Sequence, residues 1–361
     1  MVIRELPTSS AAGSAVRVSP EYVRISMASA IALRMHSGRF GRDFEFGGIN
    51  LLLNYEEGCR SDCGYCGLAR TRPGNFADKS FIRVDWPLVR TDELLERMTQ
   101  FETTLTRICI SMVTHGRAYR DTNVITRQIA ERVRTPISIL VAPPAIKRQR
   151  LEDLRSIGVD MIGIGLDAVT EELFRSVRTD VPSGGLRWDR YWEVIGDARE
   201  IFGPWKVNVH TVVGLGETDQ DLLTLFVALR DRQIRSYLFC FSPEPGSRMA
   251  SQPQPTLRRW HRVQLARYLI EEEDYGLERF GFDREGAMTL LRTDRSAVEA
   301  VVAEGAAFIT NGCPGEDGGP GCTRPYGSYR PAEPFRDYPF APTPDDLDAI
   351  RRLLRLEELT K

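Results

Sequence analysis

Three cysteines lie close together in the order Cys59-Arg60-Ser61-Asp62-Cys63-Gly64-Tyr65-Cys66. This C-x3-C-x2-C spacing lets one short loop point three thiolates at three corners of an iron–sulfur cube, leaving the fourth iron without a protein ligand. A structural zinc site and chance core cysteines are the rival readings. A zinc site of this kind usually shows a second C-x2-C or Cys/His pair, and none follows here. The remaining cysteines are Cys109, Cys240, Cys313 and Cys322, the last two inside a Gly/Pro-rich stretch. His115 and His210 stand near the ends of apolar runs, but a lone histidine is more often structural than a ligand.

The triplet follows an apolar run, Ile49–Leu53, which is the first of six. The others are Arg107–Val113, Ile137–Val141, Met161–Leu166, Val207–Val213 and Tyr237–Phe241. Amphipathic stretches begin between them near Thr91, Thr122, Ala145, Thr170, Asp189 and Thr218. Near-continuous apolar strands alternating with helices predict a parallel sheet covered by helices. The expected fold is α/β, a TIM-type (β/α) barrel, partial or complete. Helical patterns over Leu257–Asp274 and Asp294–Glu304 and the run Ala306–Thr310 could close it toward eight units. In such barrels the chemistry sits on the loops at the C-terminal strand ends, where the cysteine triplet falls.

Around the barrel, residues 1–40 read as an N-terminal segment and helix. Ser19-Pro20-Glu21 has a helix-start signature, and the helix is expected to run to about His36. Residues 41–311 form the core. Residues 312–361 form a Gly/Pro-rich cysteine loop followed by a docking helix from Thr343-Pro344, and so long an irregular stretch is more often functional than idle.

The 361 residues are 42% hydrophobic and 27% charged, with a net charge of −2. That balance supplies a large core and no global field toward nucleic acid or a membrane surface. No run is apolar enough to span a bilayer, and the first residues lack the apolar core of a signal peptide. A cytoplasmic location is expected. Seven cysteines are too few for a disulfide scaffold in a chain this long, and in a reducing compartment clustered cysteines point to metal or catalysis.

With Tyr65 before its last cysteine and a preceding barrel strand, the triplet resembles that of the radical S-adenosylmethionine (SAM) superfamily. The resemblance implies a [4Fe–4S] cluster on Cys59, Cys63 and Cys66 whose open iron chelates SAM. It implies reductive cleavage to a 5′-deoxyadenosyl radical that abstracts hydrogen, and Tyr65 lying against the adenine. Val213-Gly214-Leu215-Gly216-Glu217-Thr218 is similar to a segment of the biotin synthase-like branch, which carries Gly214 and Glu217 over as cofactor-contacting. Gly165-Leu166-Asp167 resembles that branch's N-L-D, making Asp167 the ribose ligand. Arg187 falls where an arginine reaches the SAM carboxylate, and Ser111 or Thr114 where the amino group is bound.

Within the branch, biotin synthase holds a second, sacrificial cluster on three strand cysteines and an arginine. Cys109 matches one of these, whereas Ile137–Val141 has no cysteine and Asn208 stands at the third. The segment Gly312-Cys313-Pro314, followed by Cys322-Thr323-Arg324-Pro325-Tyr326, resembles instead the two-component, archaeal-type lipoyl synthases. That likeness implies sulfur insertion into a protein-bound octanoyl chain, fed by an auxiliary cluster on Cys313 and Cys322. Cys240 would be a third ligand, and Cys109 or Ser328 a fourth. The implied partners are an octanoylated carrier domain, a sibling radical SAM subunit, and a flavodoxin or ferredoxin. The alternatives are a single-cluster, biotin synthase-like enzyme of cofactor maturation or rearrangement, and a non-catalytic cluster-binding subunit.

Overall fold

The computed structural model describes residues 16–178, 186–327, 329–330 and 333–360. Its main sheet contains β1 (Tyr22–Ile25), β2 (Gly48–Leu53), β3 (Leu88–Arg90), β4 (Arg107–Ser111), β5 (Ile137–Val141), β6 (Val159–Asp167), β7 (Val207–Val213) and β8 (Arg235–Cys240). The strand order is β3-β1-β2-β4-β5-β6-β7-β8. Every pairing from β2 through β8 is parallel. The six expected runs are therefore the six parallel strands of a partial TIM-type barrel. Each reads as an apolar run because it is covered on both faces, and β2 is buried along its whole length.

Helices cover the outer face with regular apolar stripes. Trp188–Phe202 buries Tyr191, Val194, Ile195, Ala198, Ile201 and Phe202. That recurrence places all six on one side of a helix, and each large member contributes about 1.5–3 kcal/mol of burial.

The barrel does not close toward eight units. The two added strands, β1 and β3, come from the N-terminal side and pair antiparallel. Ala306–Phe308 forms a short 3-10 turn, and Ile309 bridges Tyr338 outside the sheet. The helix expected from Ser19 to His36 is also corrected, to β1 followed by a short helix, Met27–Ala32. Extended backbone at Arg24 lets its buried guanidinium donate to the carbonyls of Trp86 and Phe76, both at 3.0 Å. Ser26, not Ser19, caps the helix, its Oγ accepting from the Ser29 N–H at 3.1 Å.

The helix expected from Thr343-Pro344 is present as Pro344–Leu354, with a reciprocal Thr343–Asp346 capping box, and it buries Leu347, Ile350 and Leu354. Before it, the irregular tail plugs the N-terminal end of the barrel. Arg107 Nε donates to Pro314 O at 2.7 Å, and Thr106 Oγ1 to Gly321 O at 3.0 Å. The side-chain amide of Asn311 takes the place of a neighbouring strand beside β8, its Nδ2 donating to Ser236 O at 2.6 Å and its Oδ1 accepting from Leu238 N–H at 3.1 Å. An open sheet edge is thereby covered. Among the described residues, no helix is long and apolar enough to cross a membrane.

Candidate cluster and cofactor site

Cys59, Cys63 and Cys66 lie on the loop after β2, at the C-terminal end of the barrel. Backbone bonds hold that loop from three sides: Arg60 N–H to Thr114 O at 2.8 Å, Gly64 N–H to Val177 O at 2.7 Å, and Met249 N–H to Gly64 O at 2.9 Å. At Gly67 a Cβ would sit 2.2 Å from the Ser80 carbonyl, so only glycine permits this path. Glu244 braces the same wall by accepting from Ser80 Oγ at 2.8 Å.

All three thiols line one cavity of about 250 Å³ whose surface is mainly apolar. Burial pushes the Cys63 and Cys66 thiols up from the ordinary range, and mutual repulsion among the sulfurs adds to the effect. A loop that offers three thiols and no paired fourth Cys or His ligand suits an iron–sulfur cube better than a tetrahedral zinc site. Leu68 N–H donates to Cys66 Sγ at 3.4 Å, and Arg178 lies beside Cys63. These are groups suited to stabilising a thiolate, so the donor set fits an iron–sulfur cluster.

The other motif residues separate into two groups. Tyr65, Ser111, Thr114 and Asp167 all line the cavity. Asp167 ends β6 with φ +63°, accepts from Tyr65 Oη and sits 3.1 Å from Arg178. Arg178 also donates to Leu166 O at 2.8 Å and Tyr191 Oη at 3.0 Å. Burial works against its charge, but Tyr191, Tyr65, Cys63 and Asp167 hold its pKa well above the usual arginine value.

Arg187, by contrast, is 71% exposed and paired with Asp189. Arg178 and Arg324 both line the cavity, and of the two it is Arg178, which no sequence motif singled out, that lies beside the cysteine loop. Gly214 and Glu217 shape the loop after β7 without lining the cavity. The Glu217 carboxylate accepts from the N–H groups of Gly214 at 2.8 Å, Leu215 at 2.9 Å and Gly216 at 3.2 Å, and pairs with Arg259 at 2.9 Å. Gly214 has φ +110°, and a Cβ there would meet Pro255 at 2.6 Å.

The two histidines also part company. His115 stacks on Tyr55 with ring centroids 3.9 Å apart, beside the cysteine loop. His210 lines the cavity, 4.9 Å from the Phe239 ring. Burial first, and Arg324 second, lower its pKa to about 3. It is a neutral imidazole at physiological pH.

Cys313 and Cys322, from the tail, reach the same cavity from its opposite end, and Cys109 on β4 joins them. Cys240 borders the cavity elsewhere, its Sγ accepting from Arg336 Nη1 at 3.6 Å. Its electrostatic neighbours are Arg336 and Asp337. Cys109, rather than Cys240, is therefore the cysteine that accompanies the tail pair. Ser328 lies outside the described residues.

Residues 53–228 match the family model described as the radical SAM superfamily. A biotin synthase of Persephonella marina is 26% identical over 254 residues, covering 67% of each chain. One from Renibacterium salmoninarum is 26% identical over 206 residues, covering 56% of this chain and 55% of that protein. Among solved structures, methylornithine synthase (PylB) aligns over 92% of this chain and 86% of its own at 13% identity, with a TM-score of 0.49. The family match over residues 53–228, the cysteine loop and the biotin synthase relatives support a place in the radical SAM superfamily, with the likeness there to the biotin synthase-like branch.

Proposed function

We propose that this chain inserts sulfur into a protein-bound octanoyl chain, as one component of a lipoyl synthase pair. The observation that carries the reading is the cavity itself. It is mainly apolar, it begins at Cys59, Cys63 and Cys66, and it ends at the cysteines the tail brings to the barrel floor. An aliphatic chain lying along it would pass between a radical source and a sulfur source.

The cofactors of the superfamily, a [4Fe–4S] cluster and SAM, supply an oxidant that removes hydrogen from unactivated C–H bonds. The chain's own residues bind, orient and exclude. Cys59, Cys63 and Cys66 are the cluster ligands, while Tyr65, Asp167 and Arg178 form the hydrogen-bonded wall beside them. Ser111 and Thr114 offer hydroxyls at the same end of the neighbouring strand, β4. Leu52, Leu140 and Val212 line the apolar stretch that would hold an alkyl chain and keep water from a reactive carbon. A second iron–sulfur cluster at the tail cysteines would be the sulfur donor. A sibling subunit and a flavodoxin or ferredoxin complete the proposed system, which we place in the cytoplasm.

The test is direct. Anaerobically reconstituted protein is incubated with dithionite, SAM and an octanoyl-lysyl peptide, with and without the sibling subunit. Expected products are 5′-deoxyadenosine, methionine and a peptide heavier by sulfur in mass spectra. Deoxyadenosine without thiolated peptide would overturn the octanoyl substrate. The likeness to biotin synthases favours a second reading, another biotin synthase-like radical reaction of cofactor maturation, which that outcome would leave in place. Absence of SAM cleavage would point instead to a non-catalytic cluster-binding subunit.

A further inference from the structure

The inward face of the barrel changes chemistry with depth. Near the C-terminal strand ends it carries Leu52 and Leu140. One layer lower, Asn50 on β2, Cys109 on β4 and Ser138 on β5 stand in register. Asn208 on β7 pairs with Gly163 of β6, which in turn pairs with Leu140, and the Asn208 side chain reaches from that level to the tail cysteine on the floor. A barrel layer is ordinarily filled with branched aliphatics, and buried polar groups cost stability unless they are partnered. A polar floor is thus a departure that needs an occupant.

Into this layer the tail inserts Cys313 and Cys322, both buried. Their backbones are joined, Cys322 N–H donating to Cys313 O at 3.0 Å. Cys322 Sγ donates to Asn50 Oδ1 at 3.3 Å, and Asn208 Nδ2 donates to Cys313 Sγ at 3.5 Å. Cys109 is close enough to both sulfurs to feel their charge. Two features point to a ligand beyond these contacts. Asn208 is 0% exposed, and its Oδ1 has no hydrogen-bond partner. Such orphans are rare and usually mark an unfilled interaction. On the neighbouring strand the inward position is Gly163, where a Cβ would stand 2.8 Å from that same oxygen.

We propose that Cys109, Cys313 and Cys322 are the complete cysteine set of the second iron–sulfur cluster, which therefore keeps one iron without a protein thiolate. On binding, each thiol gives up its proton to solvent and forms one iron–sulfur bond. The Nδ2 groups of Asn50 and Asn208 and the Ser138 hydroxyl supply hydrogen bonds to the cluster sulfurs, and the orphaned Asn208 Oδ1, an acceptor, is left for the iron that has no thiolate. Cys240 takes no part. The assignment rests on the second-cluster element of the function proposed above, and it can fail or hold independently of the octanoyl substrate.

The experiment uses the full-length chain carrying Cys59→Ala, Cys63→Ala and Cys66→Ala, reconstituted anaerobically with iron and sulfide. It is expected to keep about four irons and a cubane Mössbauer spectrum. Added cyanide should perturb about one iron in four. In that background, Cys109→Ala, Cys313→Ala and Cys322→Ala should each remove most of the iron, while Cys240→Ala should leave it bound. Circular dichroism confirms folding of each variant, and Cys→Ser versions preserve side-chain volume where alanine does not fold. A colourless triple variant, or iron loss with Cys240→Ala equal to that with Cys322→Ala, overturns the assignment. Wild-type protein with about eight irons but no thiolated peptide sinks only the substrate.

Discussion

Arg178 contributes N–H groups to Leu166 O and Tyr191 Oη while lying 3.1 Å from Asp167. Removing a guanidinium from such a place strands a carboxylate and two oxygen acceptors in a mainly apolar cavity. Arg178→Ala should therefore lower unfolding free energy by about 3 kcal/mol, read as a drop in the urea midpoint at unchanged slope. Arg178→Lys should recover only part of it, because an ammonium cannot reproduce the planar fork. An unchanged midpoint would mean that Asp167 is held adequately by Tyr65 alone. The contrast between Arg178 and Arg187 also marks what sequence could and could not reveal. Both arginines follow the Asp167 motif, and spacing does not say which one turns inward. Likewise Cys109 and Cys240 both end up near the cavity, but alternation along the strand separates them. Cys109 shares its face with Ser111, while Cys240 falls out of phase with Tyr237 and Phe239.

At the scale of elements, the six parallel strands were readable because strands buried on both faces are apolar throughout. The antiparallel pair was not. β3 has only three residues, and β1 has four lying behind a helix-start signature. The loop after β7 was visible as a glycine motif, and in the structure Gly214 is the glycine on which the tight turn there depends. Gly214→Ala would meet both a left-handed backbone and Pro255 at 2.6 Å. A cost of about 2 kcal/mol is expected from the two effects together, measurable as a lower denaturation midpoint. Should the variant be as stable as wild type, the turn must relax without cost, and the tight packing would be incidental.

Over the whole molecule, the tail and barrel are one structure held at a few polar points. Arg107 is the main one, buried at 2% side-chain exposure and reaching Pro314 O at 2.7 Å while pairing with Asp160. Arg107→Ala should raise hydrogen exchange across residues 312–327 by at least about tenfold, since one lost charged hydrogen bond is worth about 1.5–3 kcal/mol. Amides of β5 and β7 should be unaffected. Equal protection in the variant would show that the packing of Phe340 against Phe44, Tyr329 and Phe335 holds the tail alone. The two cysteine sets also differ in how far apart their members lie in the chain. Cys59, Cys63 and Cys66 are neighbours, so a single loop assembles them. The floor set ties residue 322 to Asn50 across a separation of 272 residues, and residue 313 to Asn208 across 105. Closing loops of that length comes late in folding. Newly made protein should accordingly capture iron at the upper loop before the floor can hold any, giving maturation a built-in sequence.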